Sequence, residues 1–518
     1  MHSIFRLTRR QMLAGTAAGA FAALGGRFAL AADGKVLKIR SYADIQNLDP
    51  SFISAAPDTD IGRAIFSSLI VASPGSEWGY DLDAAESLKQ IDDKHIEFKL
   101  KPGLVWSGGF GEVTADDVKY SFERIADPAA KSPYAGDWET LDHVEVKDKL
   151  SGVIVLKEAF APLMTSTLPQ SSGTIVCKAA VEKAGGKFTT TPPATSGPYV
   201  IKEWTPKQKT VLARNPDWKG EAPAFDEIQV FPIEDAKAAE LAFEAGDLDF
   251  TWVAGSSIKR LEGAPPKGGK IERHPSLAYI WMGMNVESKP FDNPKVRRAV
   301  QHAVDVGTVV EAAYFGAAEP STGIIAPGLI GHREKRLYGY DKDKAKALLA
   351  EAGLADGFEC TIDVLNTEEY LAAVQVVQSQ LAEVGIKLTI QSHDSGTFWT
   401  LGDEKSGDSW KKIQMTYGRF SMAPDPSYAT EWFTPEQVGV WNWERWRSPE
   451  FGDLNKKAKV ELDPKKRNEM YIKLQDLMEE GGAYVFITHG VNGVLYRTTV
   501  KSATSPDGTP IMRKFAPA

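Results

Sequence analysis

The chain has 518 residues, 25% charged and 43% hydrophobic, which is enough for two or three packed lobes and excludes intrinsic disorder or a collagen-like repeat. Sixty basic against 69 acidic side chains leave a formal charge of −9. The charges are spread along the chain, so no basic surface is offered to a phosphate backbone and nucleic acid is excluded as the expected partner.

Residues 1–31 carry Arg6, Arg9, Arg10 and Arg27 and no acid. Thr8-Arg9-Arg10-Gln11-Met12-Leu13 supplies a twin-arginine signal, an apolar run follows to Gly26, and Ala29-Leu30-Ala31 offers a small-residue cleavage site. This order predicts an export signal and a periplasmic mature protein. No later stretch approaches about 18 uninterrupted apolar residues, and no lipobox cysteine follows the signal, so no further membrane anchor is expected.

Beyond the signal, strand and helix signals alternate without a fixed-period repeat, the pattern of an α/β protein. Thr114-Ala115-Asp116-Asp117-Val118 reads as a helix start with Thr114 capping, rather than as paired catalytic carboxylates. Cys177 and Cys360, the two cysteines, are expected as buried small residues; a bond between them stays open. A helix is predicted over Pro294–Tyr314, and another after Asp341 or Asp343, with Ala345, Leu348 and Leu349 apolar and Gly353 past its last turn. Phe358–Leu365 then reads as a strand, followed by a helix with Leu371, Val374, Val377, Leu381 and Val384 on one face. Gly385 stops it and Ile386–Ile390 alternates as a strand, which makes a βαβ unit with parallel strands. A last helix is predicted at Pro464–Met478, capped by Asp463. The proline- and glycine-rich stretches 188–198, 263–269 and 319–331 are candidate crossings or lid-like loops.

Catalytic motifs are missing. The sequence has neither a G-x-S-x-G elbow nor an H-E-x-x-H pair, and its eight histidines stand singly. His393 and His489 have no evident ligand partners, which disfavours nickel. Gly263–Lys270 resembles a phosphate loop but has alanine at the first glycine position, and Ile271 follows where Ser or Thr is needed; it reads as a turn. Of 13 tryptophans, Trp399, Trp410, Trp432, Trp441, Trp443 and Trp446 fall within 399–446. Trp441-Asn442-Trp443 and Tyr417-Gly418-Arg419-Phe420 interleave aromatics with amide and guanidinium. That is the chemistry of a site stacking on a polar organic ligand, or of a Trp-rich core.

An ordered series of motifs runs through the chain: Leu48-Asp49-Pro50, Val113–Phe122, Thr195-Ser196-Gly197-Pro198-Tyr199, Asn215-Pro216-Asp217-Trp218, Ala245–Asp249, Asn285, Pro290–Ala299 and Ala345–Leu349. In this series the sequence resembles the family 5 periplasmic solute-binding proteins of ABC importers, which capture peptides, nickel chelates, opines and related solutes. The resemblance implies an α/β two-lobed clamshell. Its expected boundaries are the signal at 1–31, lobe I at 32–76, 195–280 and 488–518, a subdomain inserted in lobe I at 77–194, and lobe II at 281–487. It further implies a monomer that closes on a small-molecule solute and hands it to ABC permease subunits, with no catalytic residue, metal or cofactor. The alternatives are an exported hydrolase and a chemosensory binding protein.

Family pocket positions carried onto this chain are Asp60 and Ile61, Tyr134, Trp138, Trp399, and the segment Tyr417 to Asp425 with Arg419, Phe420 and Met422. Trp441, Asn442 and Trp443 join them from the aromatic pattern. In oligopeptide binders the position of Met422 holds an aspartate that pairs with the peptide amino terminus; here Asp425 or Asp60 would have to substitute. Arg419 would hold a solute carboxylate or an interlobe ion pair.

Overall fold

The structure, a computed structural model, describes residues 35–53 and 55–518; the expected export signal lies outside the described residues. Three main sheets organise the α/β chain. The first has seven strands in the order Tyr199–Thr205, Lys209–Arg214, Glu227–Pro232, Val36–Ser41, Phe250–Val253, Val491–Arg497 and Gly269–Pro275. Val36–Ser41 runs parallel to both of its neighbours. The second has five, in the order Ile386–His393, Phe358–Leu365, Met415–Ser421, Ala278–Met284 and Tyr484–Thr488. The third is an antiparallel four-stranded sheet between residues 85 and 156. Each packs its own apolar cluster.

The chain changes sheets at 276–277 and at 489–490. Both expected boundaries near these points, 280/281 and 487/488, fall inside strands of the second sheet, and a strand's ladder cannot be divided between two sheets. His489 ties the two crossings together. One ring nitrogen lies 2.9 Å from the Ala278 carbonyl and the other 3.1 Å from the Ser321 hydroxyl. Burial pushes its pKa down to about 4, so the imidazole is neutral at pH 7.

Local signals account for most elements. Glu368–Ala382 joins Phe358–Leu365 to a parallel Ile386–His393, its Val374, Val377 and Leu381 fully buried, with Gly385 turning the chain at φ 90°. Asp341, Asp463 and the Thr114/Asp117 capping box start their helices as their sequence positions predict. The single helix predicted over Pro294–Tyr314 is instead two, Pro294–Ala303 and Val306–Tyr314. Val304 is extended, and the Asp305 carboxylate accepts the Gly307 N–H at 3.0 Å, so a side-chain cap outcompetes helix continuation. The stretch 319–331 is not a surface lid, because Ile324, Ile325 and Ala326 are buried under the second lobe's aromatic cluster. Cys177 and Cys360 are both buried and free. They lie in different apolar clusters, which excludes a bond between them.

One close approach seats the helix that matters below. Gly197 donates its N–H to Ile65 O at 2.8 Å, at the end of helix Ala56–Ile65. A Cβ at Gly197 would meet the Ile65 carbonyl carbon at 2.6 Å and Ala64 O at 2.7 Å. Gly197→Ala is therefore expected to destabilise the protein by about 1–3 kcal/mol, read as a lowered denaturant midpoint. An unchanged midpoint would show that this seat is slack.

Candidate functional site

A cavity of about 650 Å³ is walled by residues drawn from widely separated parts of the chain. Helix Ala56–Ile65 contributes Asp60 and Arg63. The expected inserted subdomain contributes Tyr134, Asp137, Glu139 and the turn Gln170-Ser171-Ser172. The second lobe adds Met422, Tyr428, Glu431, Trp432 and Lys459, and the C-terminal segment adds Asp507 and Arg513.

The lining is acid-rich, with Asp60, Asp137, Glu139, Glu431 and Asp507 against Arg63, Lys459 and Arg513. Arg513 is turned toward Asp83, 3.0 Å away, which is not part of the lining. Lys459 is shared by Glu139 at 3.3 Å and Glu431 at 3.6 Å. Asp137 accepts the Tyr428 hydroxyl at 2.5 Å, and burial raises its pKa. These contacts join the subdomain to the second lobe across one wall. Asp60 is different: it is 6% exposed and its Oδ1 has no hydrogen-bond partner among the described residues. Burial pushes its pKa up to about 7, Arg63 3.7 Å away opposing and Asp507 reinforcing the rise.

Of the thirteen residues singled out in the sequence, Asp60, Tyr134 and Met422 line this cavity. Tyr134 donates its hydroxyl to Ile53 O at 2.6 Å. Ile61, one residue on from Asp60, turns into the core of the first lobe. Trp138 is core as well, stacked on Phe122 at 4.3 Å with Nε1 donating to Ser172 O at 2.9 Å, so it supports a wall without reaching the interior.

Met415–Ser421 alternates faces. Tyr417 goes to the helix-covered core behind the sheet, beside Tyr370; Arg419 shares that face and is exposed. Phe420 points the other way, into a cluster with Trp281, Trp399, Trp432 and Trp441. Trp443 closes that cluster against Trp399 and Phe398. Asn442 is buried, its amide bracing the carbonyls of Phe433, Thr434 and Trp446 at 3.1, 3.3 and 2.8 Å. The aromatic cluster touches the cavity through Trp432.

Asp425 is fully buried and committed. Arg467 donates to both its oxygens at 2.8 Å, and Thr165 of the subdomain and Ser427 add hydroxyls. Burial alone would raise its pKa; the Arg467 charge and these hydrogen bonds more than offset that and hold it below the usual carboxylate range. It is therefore unavailable as the substitute anchor considered for Met422. Arg63, Asp137, Tyr428, Glu431 and Lys459 were not singled out. Arg63 was within reach, since it lies one helical turn from Asp60; the others meet only in three dimensions.

Among the described residues no cluster of three or more His, Cys, Asp or Glu could hold a metal ion, and no helix is long and apolar enough to cross a membrane.

The family model described as "Bacterial extracellular solute-binding proteins, family 5 Middle" matches residues 80–439. The glutathione-binding protein GsiB of Escherichia coli (strain K12) is 27% identical over 412 residues, covering 77% of this chain and 79% of that protein. The periplasmic binding protein DppA from Helicobacter pylori, solved with the peptide STSA, matches with a TM-score of 0.74 at 24% identity over 93% of this chain and 98% of its own. MoaA from A. tumefacien R10, solved with mannopinic acid, matches with a TM-score of 0.73 at 23% identity over 93% and 99%. At these identities the structural likeness shows the two-lobed fold.

Arg467→Met would strand the Asp425 carboxylate in the core. The expected loss is about 3–5 kcal/mol at pH 7, measured by denaturant unfolding. Because the pair stabilises only while Asp425 is ionised, and burial without Arg467 raises the Asp425 pKa in the variant, the gap from wild type should narrow progressively as pH falls from 7 through about 4. A loss independent of pH would assign it to packing instead.

Proposed function

The chain belongs to the family 5 bacterial extracellular solute-binding proteins, and from that premise we propose that it is the exported, monomeric receptor of an ABC importer. It closes on a small polar organic solute, a short peptide or an opine-like amino-acid conjugate, and presents it to membrane permease subunits. The observation that carries this reading is the cavity itself. At about 650 Å³, between Asp60, Tyr134, Met422 and Lys459, it falls within the usual range of roughly 300–1,000 Å³ for small-molecule sites. Its walls come from widely separated parts of the chain, from residue 53 to residue 513, so a solute inside it would bridge them. Residues 1–31 supply the export signal in this reading, through the twin-arginine route.

The lining and the solutes of the relatives support this choice of solute class. A polar, acid-rich interior with Tyr134, Tyr428 and Trp432 at its sides suits a flexible molecule with both charges and short apolar parts. GsiB is a glutathione-binding protein, DppA was solved with the peptide STSA and MoaA with mannopinic acid.

The test is a thermal-shift screen of the mature protein, unfolded and refolded beforehand to strip any carried-over solute, against glutathione, short peptides, mannopine-type conjugates, free sugars and nickel chelates. A solute at one hundred times its Kd should add about 2.7 kcal/mol of stability and raise the midpoint by a few degrees. Recovery of that solute unchanged is expected. No shift across the panel, or conversion of the bound solute to product, would overturn the receptor reading.

A further inference from the structure

We propose that the cavity takes the positive charge of its solute on Asp60, which defines the solute class as short amine-bearing compounds, whether the ammonium is a peptide amino terminus or the nitrogen of an amino-acid conjugate. This rests on the receptor reading and adds to it the chemistry that the site selects.

Asp60 is the acid of this cavity whose charge is met by no hydrogen-bond donor, its nearest cation being Arg63 at 3.7 Å. Its Oδ1 accepts no hydrogen bond among the described residues although the residue is 6% exposed. Arg63, on the same helix, holds Nη1 3.7 Å from Asp60 Oδ1, an ion-pair distance beyond hydrogen-bond range, while its Nη2 donates to Gln170 and its buried Nε has no partner among the described residues. The remaining lining charges are engaged elsewhere. From the subdomain, Asp137 takes the Tyr428 hydroxyl and Glu139 shares Lys459 with Glu431 of the second lobe. From the C-terminal segment, Asp507 accepts from Ser505 and Thr509, and Arg513 pairs with Asp83. Buried carboxylates are normally satisfied, because an ionised one with no donor is costly. An ammonium brings the missing donors together with a positive charge in one group. On the second-lobe wall Met422 offers a thioether, and Asp425 is held by Arg467. The cation is therefore drawn to the first-lobe helix.

Two measurable consequences follow. With its carboxyl pushed up to about 7 mainly by burial, Arg63 lowering and Asp507 raising it, Asp60 in the empty protein is close to half protonated at neutral pH. Capture of an ammonium requires the ionised form, so binding at pH 7 should release about half a proton, and affinity should fall by about tenfold per pH unit below 7. In the empty protein the sign reverses. Holding Asp60 ionised costs stability that grows as pH rises from about 4 to 7, so Asp60→Asn should fold with a midpoint above wild type at pH 8 and equal to it near pH 4.

The experiment is titration calorimetry of wild type and Asp60→Asn with three pairs of probes: trialanine and N-acetyl-trialanine, glutathione and N-acetyl-glutathione, and an amino-acid–sugar conjugate and the corresponding nitrogen-free sugar acid. At least one amine-bearing probe should bind wild type, releasing protons, and bind Asp60→Asn at least about thirtyfold more weakly. Its amine-blocked partner should bind both proteins with the same weak affinity. Which pair responds distinguishes a peptide amine from a conjugate amine. Equal binding of free and blocked probes to wild type, or undiminished binding to a folded Asp60→Asn, would overturn the inference and leave the receptor reading standing. No binding by any probe, or by any solute of the wider screen, would overturn both.

Discussion

The buried pair between Asp425 and Arg467 holds the site together. Both ionic groups lie in the interior of the second lobe, joined by two 2.8 Å hydrogen bonds, where either charge alone would be prohibitively desolvated. The pair fixes the turn that follows strand Met415–Ser421, and that turn lays Met422, Ala423, Pro424, Ser427 and Tyr428 along the cavity wall. Thr165 of the subdomain reaches the same carboxylate. One ion pair thus sets the shape of a wall and the point at which two parts of the chain meet across it.

The cavity inherits its character from this arrangement. Acids that belong to the closure, Asp137 with Tyr428 and Glu139 with Lys459 and Glu431, satisfy one another across the subdomain contact. Asp60 has Arg63 at 3.7 Å but no hydrogen-bond donor on its Oδ1, and sits on a helix whose last turn is pinned by the backbone of Gly197. A preorganised carboxylate carries a desolvation cost in the empty protein that a bound cation would remove. His489 ties the two crossings to each other through the Ala278 carbonyl.

The fold was largely legible because its signals are local. Asp341, Asp463, Thr114 with Asp117, Gly385 and the alternation in Phe358–Leu365 each act within a few residues of themselves. The pocket was legible only in part. Family positions led to Asp60, Tyr134 and Met422, but carrying over whole segments brought in neighbours on the wrong face: Ile61 a third of a helical turn away, and Tyr417 and Arg419 on the back of their strand. Strand periodicity applied to 415–421 would have separated Phe420 from those two. The tryptophan concentration is real clustering, but the rings mostly satisfy one another, Trp399 against Trp443 and Trp441 against Trp432 and Phe420. Arg63, Asp137, Tyr428, Glu431 and Lys459 span some four hundred positions, and no spacing rule unites them.

The most direct test of the account is a crystal structure of the protein with an amine-bearing solute identified by binding. The account predicts density for that solute inside the cavity between Asp60, Tyr134 and Met422, with its nitrogen against the Asp60 carboxylate and the Asp425–Arg467 pair intact. Density instead over the aromatic cluster of Trp399 and Trp441, with the cavity holding only water, would contradict it.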